Sequence, residues 1–216
     1  MKKLLAVLLF FGVSFLSADD EDFSYTYFDL SAVQADNTGY DATFSLGLPF
    51  SLYLRGSVED IDAEIENAIF EKSSSIVTLG AHVSIADLLK NVTKDGFKFN
   101  FARFMDFYAE LGSDKWELEN IDGVSEEGTD AYIQGGIRIG DSEGWELSVY
   151  LENRSLAEVE ISQDNGKAEY TLSDDVNNTL GIKFTNNFQE NMSMNINIDN
   201  DDVIGSTASI GIRFRL

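Results

Sequence analysis

The chain has no cysteine among its 216 residues, and it has one proline and one histidine. Disulfides and cysteine-bound metals are therefore excluded, so stability must come from packing or from closed hydrogen bonding. Cations are scarce as well: 15 lysines and arginines stand against 38 aspartates and glutamates, a formal charge of −23. A chain this acidic is unsuited to nucleic acid, whose phosphates would repel it.

Long apolar runs are also missing, with one exception at the start. Two lysines precede thirteen apolar or small residues, 4–16, which are followed by "SA" and an acidic "DDED". The run is shorter than the roughly 20 residues of a membrane-spanning helix, and its flanks are typical of a secretory signal peptide. We predict a cleaved signal peptide at 1–18, one domain at 19–216, and no transmembrane helix.

Apolar and polar residues alternate through the rest of the chain. This period places successive side chains on opposite faces of a β-strand. Ten segments show the pattern: 26–33, 41–48, 51–59, 77–85, 105–112, 131–139, 145–154, 178–184, 192–199 and 208–216. An all-β, antiparallel up-and-down barrel of about ten strands follows, since barrels of this kind have an even strand number. The segment at 86–104 breaks the pattern, so eight strands remain an alternative.

The connections between these segments alternate in length. The short links are "PF", "GDSEG" and "NFQEN", and the long acidic links are residues 59–72, 119–130, 156–177 and 199–206. Membrane barrels combine short periplasmic turns with longer external loops in this way. We predict the long links to be external loops. Aromatic residues near the short turns are expected to form an interfacial girdle: Phe50, Tyr53, Tyr108, Trp145, Phe184 and Phe188.

One face of the predicted strands carries almost no charge, and the other carries most of the arginines among carboxylates. The signal peptide, the alternating link lengths and the glycines on the polar face favour a barrel with lipid outside and charges within. The lumen of so small a barrel is filled by side chains. We predict a plugged lumen held by buried ion pairs, each stable only when paired. Its members are Arg55, Asp106, Glu110, Arg138, Glu146, Lys183 and Arg213. The alternative is that these charges line a narrow water-filled channel.

No motif for catalysis is present. The single histidine, His82, falls on the predicted inner face, where we interpret it as a structural residue. There is no G-x-S-x-G, no H-E-x-x-H and no phosphate-binding loop. Acidic clusters in the long links lack the spacing of a calcium-binding EF-hand. The sequence therefore predicts no enzyme, no cofactor and no metal site.

Residues 19–216 resemble the small outer-membrane β-barrel proteins of Gram-negative bacteria, including the outer membrane protein A barrel and porin-like proteins. The resemblance rests on "YDATFSLGLPFSLYLRGSVE", "TLGAHVSI", "DFYAELG", "AYIQGGIRIG" and "ASIGIRFRL". It implies an integral outer-membrane protein, a monomer, that contacts outer-membrane lipid, lipopolysaccharide and the barrel assembly machinery. That machinery reads a terminal aromatic residue, whereas here Phe214 stands two places before Leu216.

Three functions are compatible with this pattern. The first is a structural or surface-interaction barrel without enzymatic activity. The alternative is a narrow porin that passes small solutes or cations, which an acidic mouth would favour. A secreted, soluble ligand-binding barrel is the third.

Overall fold

The computed structural model describes residues 23–34, 38–65, 68–85, 105–120, 125–140, 144–154, 157–164, 167–174, 177–202 and 205–216. The predicted signal peptide and the irregular segment at 86–104 lie outside these residues. Among the described residues, the structure contains no helix long and apolar enough to cross a membrane.

Twelve strands make up the described part of the chain. They are β1 Tyr27–Gln34, β2 Thr38–Leu48, β3 Leu52–Ile65, β4 Ala68–Ser84, β5 Met105–Asn120, β6 Ser125–Gly140, β7 Trp145–Arg154, β8 Ala157–Asp164, β9 Lys167–Asp174, β10 Asn177–Gln189, β11 Met192–Asp201 and β12 Gly205–Arg215.

Ten of these strands form a closed antiparallel barrel in the order β1-β12-β11-β10-β7-β6-β5-β4-β3-β2. The predicted ten-stranded, all-β barrel is thus confirmed, and the eight-stranded alternative is wrong. Residues of each barrel strand are paired with residues on the neighbouring strands. If these pairs are traced once around the barrel from Gly140 of β6, they return to β6 at Gly128, so the sheet closes with a stagger of twelve residues. A stagger of this kind requires tilted strands, which bring side chains distant in sequence to one height.

The two ends of the barrel differ. The turn end carries the turns at 49–51 and 190–191, the start of β1 and the end of β12. The opposite end, called the loop end below, carries the connections from β1 to β2, β3 to β4, β5 to β6 and β11 to β12. Two residues separate β3 from β4 and four separate β5 from β6, so the predicted difference in length between external loops and turns is wrong for these connections.

All four predicted loops are partly or largely strand. At 199–206, β11 runs to Asp201 and β12 starts at Gly205. In place of loops at 59–72 and 119–130, β3 runs to Ile65, β4 starts at Ala68, β5 runs to Asn120 and β6 starts at Ser125. The predicted loop at 156–177 contains β8 and β9, which pair as a two-stranded sheet separate from the barrel. The prediction was wrong because it took acidic segments to be loops, whereas strands near the loop end are acidic where they face water.

The barrel wall is apolar outside and polar inside. Outward residues such as Leu111, Leu151 and Ile210 expose 63%, 63% and 54% of their surface, while Asp29 and Asp114 on the inner face expose none. From the middle of a strand towards the loop end, its outward residues are apolar until a first polar residue is reached. In β1, β3, β7, β10 and β12 this residue is Gln34, Asp60, Asn153, Asn178 and Ser206, respectively. The outward apolar residues on the turn-end side of these positions are called the belt below.

Of the six residues of the predicted aromatic girdle, three are exposed at the turn end and two point inward. The sixth, Phe184, is 39% exposed on the outer face of β10. Phe50, Trp145 and Phe188 are 94%, 48% and 52% exposed. Tyr53 is 2% exposed, and Tyr108 also points into the lumen, where it lines a cavity. Both tyrosines occupy alternate, inward positions of their strands, so strand parity rather than closeness to a turn decides their direction.

Candidate functional site in the lumen

The inner face of β3, β4 and β5 holds one cluster of ion pairs around Glu110. Arg55 donates from Nε to Glu110 Oε2 at 2.7 Å, and Tyr53 donates to Oε1 at 2.9 Å. Thr78 donates to Oε2 at 3.0 Å, and Arg55 Nη2 also donates to the Tyr132 hydroxyl at 2.7 Å. Strand period places Tyr53 and Arg55, two residues apart, on the same face. The buried carboxylate is thereby satisfied on both oxygens.

A second cluster connects five strands through a chain of alternating charges. Asp29 accepts from Arg213 Nε at 2.8 Å and Nη2 at 2.9 Å, and from Lys183 Nζ at 2.8 Å. Arg213 Nη1 lies 3.7 Å from Glu146, which pairs with Arg138 at 2.5 Å. Bidentate arginine–carboxylate geometry of the kind seen at Asp29 is among the strongest forms of charge pairing in proteins.

A third cluster lies nearer the loop end and was not among the predicted ion pairs. Arg154 pairs with Glu152 and lies 3.5 Å from Asp114, which also accepts from Ser74. The Tyr132 hydroxyl donates to Glu152 Oε2 at 2.7 Å. Alternation in the segment 145–154 places Glu152 and Arg154 on the inner face, but it does not predict that they pair. Asp114 could not be assigned to the inner face from the sequence, because the predicted strand ended at residue 112, whereas β5 continues to Asn120.

Asp106 has a different partner from the one predicted. We expected an arginine, but its Oδ2 accepts from the Tyr25 hydroxyl at 3.3 Å and lies 3.3 Å from His82 Nδ1. His82 faces the lumen, where its ring stacks on that of Tyr25 with 3.9 Å between centroids. Tyr25 precedes β1 and belongs to no alternating segment, so no sequence pattern indicates that it enters the lumen.

The structure therefore places the seven predicted lumen residues in three locations. Arg55 and Glu110 meet in the first cluster, and Lys183, Arg213, Glu146 and Arg138 belong to the second. Asp106 stands apart, beside His82 at the turn end.

A cavity of about 180 Å³ occupies the lumen between Tyr25 at one end and Ile61 and Lys72 at the other. Water at its liquid density would fill such a volume with roughly six molecules. Carboxylates outnumber cations on its loop-end wall, where Asp41, Glu59, Glu152, Asp199 and Asp201 stand near Lys72 and Arg154. Among the described residues, no group of three His, Cys, Asp or Glu side chains is arranged to hold a metal ion.

The polarity of the wall decides what kind of barrel this is. A soluble barrel buries apolar side chains and exposes polar ones, whereas this one exposes Leu151 at 63% and buries Asp29 completely. The chain is a small β-barrel of the outer-membrane type.

No protein-family model and no curated protein matches the chain. Solved structures with a similar backbone include the KdgM porin in complex with disordered oligogalacturonate, at 9% identity over 88% of this chain and 99% of that one, with a TM-score of 0.44. The NanC porin matches at 8% identity over 88% and 100% of the two chains, with a TM-score of 0.45. The N-terminal β-barrel domain of Pseudomonas aeruginosa OprF matches at 10% identity over 88% and 96%, with a TM-score of 0.43.

Proposed function

We propose that this protein is an integral outer-membrane barrel with a structural or surface-interaction role and a lumen closed to solutes. The observation that carries the proposal is the burial of paired charges across the lumen. Asp29, Glu146, Arg213 and Arg138 expose 0%, 2%, 5% and 6% of their surface. Charges that line an open, water-filled channel would be far more exposed.

The energetics of these pairs support a closed lumen. Removing a charge from water costs several kcal/mol, which only a well-placed partner and further hydrogen bonds offset. Asp29 has two cationic partners and three hydrogen bonds, and Glu110 has four donor contacts. Side chains held this way act as fixed cross-links rather than as movable channel-lining groups.

A narrow cation-passing porin is the second candidate. The cavity favours it, because its wall is polar and its loop-end part is rich in carboxylates such as Asp41, Glu59 and Asp199. Such a wall would concentrate cations and repel anions. For this candidate to hold, the cavity has to continue to the turn end.

The partners we propose follow from the outer surface. The belt is suited to the acyl chains of the outer membrane, including those of lipopolysaccharide. The acidic surface beyond the belt would contact the phosphorylated head groups of lipopolysaccharide through bridging divalent cations, because the two surfaces repel each other directly. Assembly by the barrel machinery and a monomeric state complete the proposal. Phe214, the aromatic residue near the end of β12, is the element that the machinery would read.

Conductance in planar lipid bilayers tests the proposal. We expect the wild-type protein to show no steady current and Arg138→Ala to conduct, because that variant breaks the pair with Glu146. Lys115→Ala is the matched control, since Lys115 pairs with Glu127 on the surface, where both side chains are more than 60% exposed. Stable conductance steps from the wild-type protein would contradict the closed lumen and favour the porin.

A further inference from the structure

We propose that residues 23–26 form a removable plug that closes the turn end of the lumen. Withdrawal of this N-terminal plug would connect the cavity above it to the periplasm and turn the closed barrel into a cation-passing one. The inference rests on the proposed function in one respect, namely that the wild-type barrel is closed.

Among the described residues, four hydrogen bonds join the main chain of the plug or the Thr26 side chain to the barrel, one of them from Arg138 Nη1 to the Ser24 carbonyl at 3.5 Å. Ser45 Oγ donates to the Tyr25 carbonyl at 2.7 Å, and the Gly47 amide donates to Thr26 Oγ1 at 2.9 Å. The Leu216 amide donates to the Thr26 carbonyl at 3.2 Å. The ladders between β1 and its two neighbours begin at Tyr27. Withdrawal of residues 23–26 therefore leaves the barrel closed by its own hydrogen bonds.

Two aromatic side chains do the sealing. Phe23 is 1% exposed and Tyr25 is 7% exposed. The guanidinium of Arg138 lies 4.8 Å from the Phe23 ring centre and 4.7 Å from that of Tyr25. Cation–π contacts of this kind strengthen when water is excluded. Arg138 thus joins the plug to the ion pair with Glu146 on the barrel wall.

The wall is shaped to receive the plug. Tyr53 lies flat against Gly80, where a Cβ atom would come within 2.2 Å of its ring. This position leaves room for the Tyr25 ring, 4.7 Å from that of Tyr53. A Cβ atom at Gly136 would in the same way come within 2.8 Å of the Tyr108 ring. Because Gly80 and Gly136 have no side chain, the rings of Tyr53 and Tyr108 pack against the barrel wall and leave space for the Tyr25 ring.

Tyr25 separates the cavity from the turn end. Its side chain lines the cavity on one side, and its hydroxyl reaches Asp106 on the other. Asp106 Oδ1 is buried without a hydrogen-bond partner, so the carboxylate is ready to bind a passing cation or water once the ring leaves. In the described part of the chain, the cavity wall as a whole carries six carboxylates and six cations. The cation preference of the opened path therefore comes from the loop-end part of the wall, where carboxylates outnumber cations.

A disulfide that can be formed and broken in the folded protein provides the test. A Cβ atom at position 47 would lie 3.8 Å from the Tyr25 Cβ, within the range of about 3.5–4.5 Å found in disulfides. Since the chain has no cysteine, Tyr25→Cys/Gly47→Cys contains one possible disulfide. This variant loses the Tyr25 ring but keeps Phe23, which the bond holds in the lumen. We therefore expect an intermediate conductance from the oxidised variant and a several-fold, reversible increase when reductant is added to the bilayer chamber.

Two controls separate plug release from general damage. The single variants Tyr25→Cys and Gly47→Cys cannot form the bond, so their conductance should not respond to reductant. Phe23→Ala/Tyr25→Ala should conduct without reductant. Phe28→Ala/Phe44→Ala removes two paired aromatic rings from the outer face instead, and it should stay closed.

The outcomes distinguish the plug from the closed barrel itself. Steady current through the wild-type protein would defeat the proposed function before the plug is tested. A closed wild type whose reduced disulfide variant and Phe23→Ala/Tyr25→Ala variant also stay closed, while both remain folded barrels, would overturn the plug alone. Failure of the disulfide to form in the oxidised, folded variant would overturn it too, because the placement of Tyr25 would then be wrong.

Discussion

Single residues in the lumen show why arginine, more than lysine, holds this barrel together. Arg213 offers two nitrogens to the two oxygens of Asp29, and its guanidinium also lies 3.8 Å from the Tyr27 ring centre. A planar guanidinium can serve a carboxylate and an aromatic face at once, whereas an ammonium is a point charge. Lys183 adds a single further contact to Asp29.

Arg213→Ala should lower the free energy of unfolding by about 3–5 kcal/mol, because a buried carboxylate loses its main partner. Lys115→Ala, which breaks an exposed pair with Glu127, should cost about 0–1 kcal/mol. Arg213→Lys should fall between the two, because one contact survives. Urea titration in lipid vesicles, followed by tryptophan fluorescence, measures all three. Equal losses for Arg213→Ala and Lys115→Ala would mean that Asp29 is wetted in solution.

Single strands reverse their polarity where the belt ends. On β5, Leu111 points outward and Glu110 inward, but further along Glu117 points outward and Trp116 inward. Inside the belt the outer face meets lipid, and beyond it the outer face meets water. Beyond the belt the inner face becomes more apolar, because a sheet surrounded by water on its outer face buries apolar residues such as Trp116 on its inner face.

Phe107→Arg, on the outer face of β5 inside the belt, should destabilise the barrel by about 2–4 kcal/mol, the cost of a cation that faces lipid. Glu117→Arg, on the same face of the same strand, should change stability little, because water surrounds it. The same urea titration compares them. If both variants lose equal stability, the belt does not end between these two residues.

The ends of the strands predict the orientation in the membrane. Glu127→Cys, at the loop end of β6, should react with a membrane-impermeant thiol reagent on intact cells. Glu190→Cys, in the turn between β10 and β11, should react only after the outer membrane is opened. Both native residues are solvent-exposed, so accessibility within the protein is matched. Labelling of Glu190→Cys but not Glu127→Cys on intact cells would reverse the orientation.

The whole molecule depends on closure between β12 and β1. Eight residue pairs, from Tyr27 with Arg215 to Gln34 with Ala208, join the first barrel strand to the last. A closed sheet has no edge from which unfolding or aggregation can start. The sheet of β8 and β9 takes no part in this closure.

Closure predicts a difference in gel mobility between unheated and boiled samples, because detergent at room temperature does not open a sheet without edges. Deletion of residues 205–216 should abolish the faster, folded band. Replacement of residues 157–174 by a short Gly-Ser linker should preserve it, although more residues are removed. Loss of the folded band in both variants would mean that the hairpin contributes to the closed barrel.

The amino-acid sequence by itself determined the antiparallel barrel and the direction of its strand faces, whereas closure of the structure decided between ten strands and eight. Because successive residues of a barrel strand face lipid and lumen in turn, apolar and polar residues alternate with a period of two, as they do from Ala208 to Leu216. The same pattern failed beyond the belt, where polarity reverses and β3 to β6 continue through segments that were read as acidic loops.

Only the tertiary structure decided which charges meet and what closes the turn end. Lys183 reaches Asp29 from a position 154 residues later in the chain, a contact that depends on strand order and on a twelve-residue stagger. Alternation shows whether a side chain points inward or outward, but not its position along the barrel axis. It therefore cannot predict which inward carboxylate an inward cation will pair with. Phe23 and Tyr25 lie outside any strand, and their place in the lumen follows from the space that Gly80 and Gly136 leave across the barrel.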